Sequence, residues 1–304
     1  MKPAARSAYA LQPKSIAILG ATGTIGQNTL KLLRAHPGRF AVDALTAGDN
    51  VALLAAQAKE FSAKRAVIAN ESLYGELQAA LSGSGILAAA GEAAVADAAA
   101  MGSDVVMAAI VGAAGLKPTL SAIRRGSNVA LANKECLVCA GELVMREAAR
   151  FGAMLIPVDS EHNAIFQVID AKHPEWIDSI TITASGGPFR EWTQAQMKHA
   201  TPEQAVKHPN WNMGANISVD SATLMNKGLE LIEAYHLFPL TPQQLKVLIH
   251  PQSIVHCLIA MKDGSVLSQM SNPDMCTPIA HALAWPERIE APVAKLDLAS
   301  VGNL

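Results

Sequence analysis

The sequence predicts an α/β protein: an N-terminal Rossmann-like, doubly wound parallel sheet, then a second α/β (α+β) unit. Three observations support this. Short apolar runs alternate with helical stretches through the first half of the chain. The first run, Ser15-Ile-Ala-Ile-Leu-Gly20, opens into a glycine loop. A later run, Ala153-Met-Leu-Ile156, leads through Pro157 to Asp159 and Glu161. Carboxylates there would stand at the C-terminal end of a strand, where open α/β sheets bind ligands.

The elements follow in order. The loop Gly20-Ala-Thr22-Gly23-Thr24-Ile25-Gly26 is GxxGxxG, a variant of the dinucleotide fingerprint, and Gln27 to Ala35 has helical spacing. Glycines let the backbone approach a pyrophosphate, and the helix N-terminus offers free N–H groups. A glycine turn without ligand is the alternative. Phe40 to Ala47 reads as the second strand and ends in Gly48-Asp49-Asn50, where a dinucleotide domain reads the adenosine ribose. Ala66 to Ala69 reads as a strand, the Ala-rich stretch Ile86 to Met101 as helix, and Asp104 to Gly112 as a buried strand. Leu116 to Arg125 reads as helix and Asn128 to Ala132 as a strand closed by Asn133-Lys134-Glu135. Beyond Glu161, Gly186-Gly187-Pro188, Pro202, Pro209 and Gly214 predict a long irregular region, a feature more often functional than structural.

At 304 residues, half of them apolar, the chain is long enough for about two domains. We expect the first over residues 1–150 and a catalytic unit over 151–285 with a flap at about 185–215. A net charge of −2 offers no electrostatic reason to bind nucleic acid or a membrane surface. No apolar run is long enough to span a bilayer, and Met1 to Ser15 lacks the apolar core of a secretory signal. Four cysteines suit a reducing compartment. Cys136-Leu-Val-Cys139 has redox or half-zinc spacing, but without a second such pair a structural role is expected.

Two segments hold candidate chemistry. If Asp159 and Glu161 continue the strand, they face the same side. Carboxylates that close repel unless they share a proton or a cation, and a hard ion such as Mg²⁺ or Mn²⁺ suits oxygen ligands. A solvated acidic turn is the alternative. In Val219 to Ala234, Asp220 or Ser221 can cap a helix. At 100° per residue, Thr223, Asn226, Lys227 and Glu230 share one face, and Leu224, Met225, Leu229, Leu231 and Ile232 the other. A solvated face with a Lys227–Glu230 pair competes with a phosphate site built from hydroxyls, an amide and an ammonium.

Several motifs occur together and in order: Gly20-Ala-Thr-Gly-Thr-Ile-Gly26, Met107 to Leu116, Ala132-Asn-Lys-Glu135, Val158-Asp-Ser-Glu-His162, Ser185-Gly-Gly-Pro-Phe-Arg190, His208-Pro-Asn-Trp211, Ser221 to Glu230 and Pro273 to His281. With them the chain resembles the 1-deoxy-D-xylulose 5-phosphate reductoisomerases of the methylerythritol phosphate route to isoprenoids.

The resemblance implies a set of roles. Asp159, Glu161 and Glu230 would hold one Mn²⁺, Mg²⁺ or Co²⁺ and, with Lys227, form the catalytic group. Ser185, Ser221, Asn226 and Lys227 would hold the phosphate of a sugar phosphate substrate, with His208 beside it and Ser160 on the hydroxylated chain. Trp211 would close over the substrate, with Met213, Pro273 and Met275 lining the pocket. NADPH would lie on Gly20, Thr22, Gly23, Thr24, Ile25, Gly48, Asp49 and Asn50, aided by Asn133, Lys134, Glu135 and Gly214. A homodimer, a bacterial-type cytoplasmic location and a linker over 286–304 leading toward a C-terminal helical domain are also implied.

Asp49 stands where the family often has a basic residue, and an acid there ordinarily favours NAD. We expect Asp49 to turn outward, leaving backbone N–H groups around Gly48 and the Asn50 amide to a 2′-phosphate. A metal-free dehydrogenase and a non-enzymatic NADP sensor are the alternative functions, and both leave the carboxylate trio unexplained.

Overall fold

The structure, a computed structural model, describes residues 12–207 and 214–302. Its first seven strands are β1 (Lys14–Leu19), β2 (Phe40–Ala47), β3 (Arg65–Ile68), β4 (Leu87–Ala90), β5 (Val105–Ala108), β6 (Asn128–Leu131) and β7 (Leu155–Pro157). They pair in parallel in the order β4-β3-β2-β1-β5-β6-β7. The direction of travel reverses after β4, so β5 returns beside β1 and leaves a crevice at their C-terminal ends.

Helices α1 (Thr24–Ala35), α2 (Val51–Glu60), α3 (Tyr74–Ala80), α4 (Glu92–Ala99), α5 (Leu116–Arg124) and α6 (Glu135–Phe151) cover the sheet. Side chains alternate between its faces. Ile16 and Ile18 pack with Leu30 of α1 and Leu54 of α2, whereas Ala17 and Leu19 pack with Val95 of α4, Ile123 of α5 and Val144 of α6. Both faces are buried, which is why the strands read as nearly continuous apolar runs.

The structure corrects the sequence reading in places. Leu87 to Ala90 form edge strand β4, and Gly91, at φ +91°, turns the chain into α4. Alanine favours helix locally, but pairing with β3 overrides that preference. Strand β7 completes the first sheet, so this unit extends past residue 150.

The second unit has strands β8 (Ile177–Ala184), β9 (Leu245–Ile249), β10 (Val255–Met261) and β11 (Val266–Met270), ordered β11-β10-β8-β9. Its helices are α7 (Ser160–Val168), α8 (Gln194–Met197), α9 (Pro202–Ala205), α10 (Ala215–Ala222) and α11 (Met225–Leu237). Ile165 of α7, Ile180 and Ile182 of β8, Ala234 of α11 and Ile259 of β10 form its core. The region expected to be irregular contains the one-turn helices α8 and α9, each begun by a capping box on Thr193 or Thr201.

The chain then returns. Helix α12 (Cys276–Ala284) inserts Ile279 and Leu283 into the first unit's core. Lys14 Nζ donates to the carbonyls of Leu283 and Trp285 at 3.0 and 3.1 Å, and Arg39 pairs with Glu287 at 2.9 Å. A last turn, α13 (Leu298–Val301), follows.

Candidate active site

The crevice above β1 and β5 opens into a cleft of about 630 Å³ that continues to the second unit. Its first wall is the glycine loop. Gly20 has φ +84°, and a Cβ there would lie 2.7 Å from the carbonyl oxygen of Ala109. At Gly26 a Cβ would lie 2.3 Å from the carbonyl oxygen of Gly20. Only glycine lets α1 seat this closely on the loop. Gly23 caps α1 without a side-chain hydrogen bond, leaving first-turn N–H groups to face the cleft. Gly23, Thr24 and Ile25 line it; Gly20 and Thr22 shape the loop behind.

Gly48, Asp49 and Asn50 lie exposed at the end of β2. Asn50 caps α2 by accepting from the Leu53 N–H at 3.1 Å. Asn133 is buried under the cleft: its amide donates to the carbonyls of Ile110 and Gly112, and its carbonyl accepts from the Cys136 N–H. It sets the shape of the β5 loop from below. Lys134, Glu135 and Gly214 line the cleft itself.

The second wall is acidic. Asp159 ends the β7 segment, and Ser160 and Glu161 begin α7. The two carboxylates therefore converge through a helical turn, not along a strand, because the Ser-Glu-His-Asn run starts a helix at once. Glu230 approaches from α11. Oxygens of Asp159, Glu161 and Glu230 lie within 4.8 Å of one another. Oxygens about 2.1 Å from an octahedral Mg²⁺ stand about 3 Å apart when adjacent and about 4 Å when opposite. The donor set thus fits one hard cation with little adjustment. Asp159 is also near His162 and Glu233. That histidine is already engaged: Nδ1 lies 2.9 Å from Glu233 and Nε2 2.9 Å from the Glu230 backbone carbonyl.

Two ammonium groups stand among the acids. Lys134 Nζ contacts Asp159, and Glu230 at 3.1 Å, and donates to Asn226 Oδ1 at 2.7 Å. Lys227 Nζ donates to Glu161 at 2.7 Å, to Glu230 and to the Thr183 carbonyl. Burial alone would lower the pKa of Lys134, but Asp159, Glu230 and Glu233 outweigh it and hold the ammonium well above its ordinary value. The same balance, with Glu161 and Glu230, raises Lys227. Burial opposes ionisation of Glu161 too, yet Lys227 and His256 hold it well below the usual carboxylate range. Burial and the Glu161 charge push Glu230 upward.

Helix α11 buries charge beside its apolar residues Leu231, Ala234 and Leu237. Its charged residues Lys227, Glu230 and Glu233 are buried, with Glu230 at 0%, while Leu224, Met225 and Ile232 are 47%, 57% and 42% exposed. Neither Asp220 nor Ser221 caps it. Both lie in α10, and the chain breaks at Leu224, at φ +60°, before α11 begins.

Ser185, Ser221, Asn226 and Lys227 line the cleft beside the acids. Gly187, at φ +66°, permits this meeting: a Cβ there would lie 2.6 Å from the carbonyl oxygen of Ser221. Ser160, Pro273 and Met275 also line the cleft, whereas His208, Trp211 and Met213 fall outside the described residues. Sequence reading missed Asn28 and His256, both cleft-lining. His256 bonds Ser271 at 2.9 Å, and burial lowers its pKa despite Glu161. Neither belongs to a quoted motif, so only the fold reveals them. The four cysteines are free, and burial pushes Cys136 up to about 11, consistent with a structural thiol.

A glycine loop on a doubly wound sheet, facing buried carboxylates across a cleft, defines a dinucleotide-binding oxidoreductase with a candidate cation site. Comparison with known proteins narrows the class. The profile described as 1-deoxy-D-xylulose 5-phosphate reductoisomerase matches residues 16–141, and two C-terminal domain profiles of that enzyme match residues 155–238 and 270–304. The Bradyrhizobium diazoefficiens enzyme of that name is 56% identical over 291 residues, covering 96% of this chain and 72% of the relative. The Rhodospirillum centenum enzyme is 57% identical with the same coverage. Among solved structures, the Zymomonas mobilis reductoisomerase in complex with NADPH has TM-score 0.90 at 53% identity, covering 95% of this chain and 75% of that one. A reductoisomerase with NADPH, fosmidomycin and magnesium has TM-score 0.91 at 46% identity, covering 95% and 74%. The chain belongs to the 1-deoxy-D-xylulose 5-phosphate reductoisomerase family and is an enzyme of the oxidoreductase/isomerase type.

Proposed function

We propose that this enzyme converts 1-deoxy-D-xylulose 5-phosphate to 2-C-methyl-D-erythritol 4-phosphate, using NADPH and one divalent cation. The observation that supports it most is that three elements meet in one cleft: the glycine loop, the carboxylate trio and the Ser185–Ser221–Asn226–Lys227 group. The NADPH and magnesium complexes of its relatives agree with this reading.

The reaction breaks and remakes a C–C bond beside a ketone by a retroaldol/aldol route, and a hydride from NADPH then reduces the resulting aldehyde. A divalent cation on Asp159, Glu161 and Glu230 (Mg²⁺, Mn²⁺ or Co²⁺) supplies Lewis-acid stabilisation of the charge that develops on substrate oxygens. Lys227 keeps its proton, given its raised pKa, and serves as a fixed positive charge. Ser185, Ser221 and Asn226 hold the phosphate with Lys227 and His208, and Ser160 holds the hydroxylated chain. Trp211, Met213, Pro273 and Met275 exclude water, so binding of the remote phosphate favours closure. The cofactor rests on Gly20, Thr22, Gly23, Thr24 and Ile25, with its adenosine end toward Gly48, Asp49 and Asn50. Asn133 shapes that wall, and Lys134, Glu135 and Gly214 line it.

A homodimer in a reducing, bacterial-type cytoplasm completes the reading. The two edge strands β9 and β11 each expose apolar side chains, Val247 and Leu248 on one and Val266 and Leu267 on the other, the kind of edge a second copy covers. Among described residues no helix is long and apolar enough to cross a membrane. The test is NADPH oxidation with deoxyxylulose phosphate and Mg²⁺ or Mn²⁺, with and without chelator. Turnover needing substrate and metal is expected; none with metal present, or turnover indifferent to chelator, refutes the reading.

A further inference from the structure

An acid at the end of the second strand ordinarily accepts from a ribose 2′-hydroxyl and so favours NAD over NADP. Asp49 occupies that place here. Its carboxylate is not left free: Asp49 Oδ1 accepts from Asn70 Nδ2 at 2.8 Å. Asn70 follows β3, which lies on the far side of β2 from β1 and its glycine loop. It is well anchored there. Its backbone N–H donates to the Gly48 carbonyl at 3.2 Å, and its Oδ1 accepts from Ser72 N at 3.1 Å and Ser72 Oγ at 2.7 Å. With Oδ1 engaged by Ser72, the Asn70 amide group presents its NH₂ to Asp49. Asn50 is committed in the complementary sense: its carbonyl caps α2, so its own NH₂ is not needed there.

We infer that Asn70 is a positioning residue for cofactor choice, drawing the Asp49 carboxylate toward β3 so that the end of β2 accepts a 2′-phosphate. This rests on the reading that the glycine loop takes NADPH. An acid that would select NAD is held to one side by a neutral donor, with no basic residue required. The discrimination belongs to the Asp49–Asn70 pair, not to either residue alone.

Direct binding of NADPH and NADH, followed by nucleotide fluorescence, tests this in wild type, Asn70→Ser, Asp49→Asn and the double variant. Serine retains an acceptor for the Ser72 N–H, but its hydroxyl is one bond shorter and lacks the NH₂ that reaches Asp49. Asn70→Ser is expected to weaken NADPH about fivefold, the size of one exposed charge interaction, and to leave NADH unchanged. The double variant is expected to bind NADPH as Asp49→Asn does, because the charge being held is gone. Unchanged NADPH affinity in Asn70→Ser overturns the inference. So does equal weakening of both nucleotides, or a loss that persists beside Asp49→Asn. A wild type that binds neither nucleotide overturns the underlying cofactor reading, and the inference with it.

Discussion

Replacing Glu233 by Gln isolates the ion pair beneath the acidic cluster. Glu233 and His162 are 1% and 0% exposed, and Nδ1 lies 2.9 Å from the carboxylate. Burial alone would lower the imidazole pKa; the Glu233 charge and hydrogen bond, helped by Glu230 and Asp159, raise it from 6.5 to about 9. That rise corresponds to roughly 3 kcal/mol of stability. Losing one partner of a buried pair typically costs about 3–5 kcal/mol, which agrees. Because the folded pKa is the higher one, the contribution is complete below the unfolded value of 6.5 and disappears as pH rises through about 9. Denaturant unfolding of wild type and Glu233→Gln, with chelator present, measures it. A deficit of about 3 kcal/mol near pH 6 should nearly vanish near pH 9.5. An equal deficit at both pH values, or none near pH 6, would refute a charged pair.

Two other outcomes follow from the cleft. Asp159→Asn or Glu230→Gln should reduce metal-dependent turnover at least tenfold at low metal while nucleotide fluorescence still reports NADPH binding, since a direct ligand charge is lost. Gly187→Ala places a Cβ 2.6 Å from the Ser221 carbonyl oxygen at φ +66°, so substrate KM should rise about tenfold or more as Ser185 and Ser221 separate, with NADPH affinity kept; an unchanged KM would place the phosphate elsewhere.

The parts legible in the sequence are those fixed locally. Phe40 to Ala47 forms the strand its apolar run predicts, and the glycine loop sits between a strand and a helix as read. The misreadings arise where distant partners decide. Leu87 to Ala90 is a strand only because β3 lies beside it. Spacing placed Lys227 and Glu230 on one face of α11 but could not show that this face points inward. Lys134 lies beside Asn133 and Glu135 and lines the same cleft, but nothing local shows that its ammonium also reaches Asp159 and Glu230, 25 and 96 positions further along the chain.

The charges buried by α11 change what holds that helix in place. A helix seated by an oily face is nearly indifferent to the ionic composition of its surroundings. This one is seated by a mixed face: Leu231, Ala234 and Leu237 pack on the apolar core, while Lys227 pairs with Glu161 and Glu230, Glu230 with Lys134, and Glu233 with His162. Part of its docking is therefore titratable, and the ion content of the acidic cluster biases local opening of α11. Amide hydrogen exchange along residues 225–237 would then read out the ion content of the cleft without any substrate turning over.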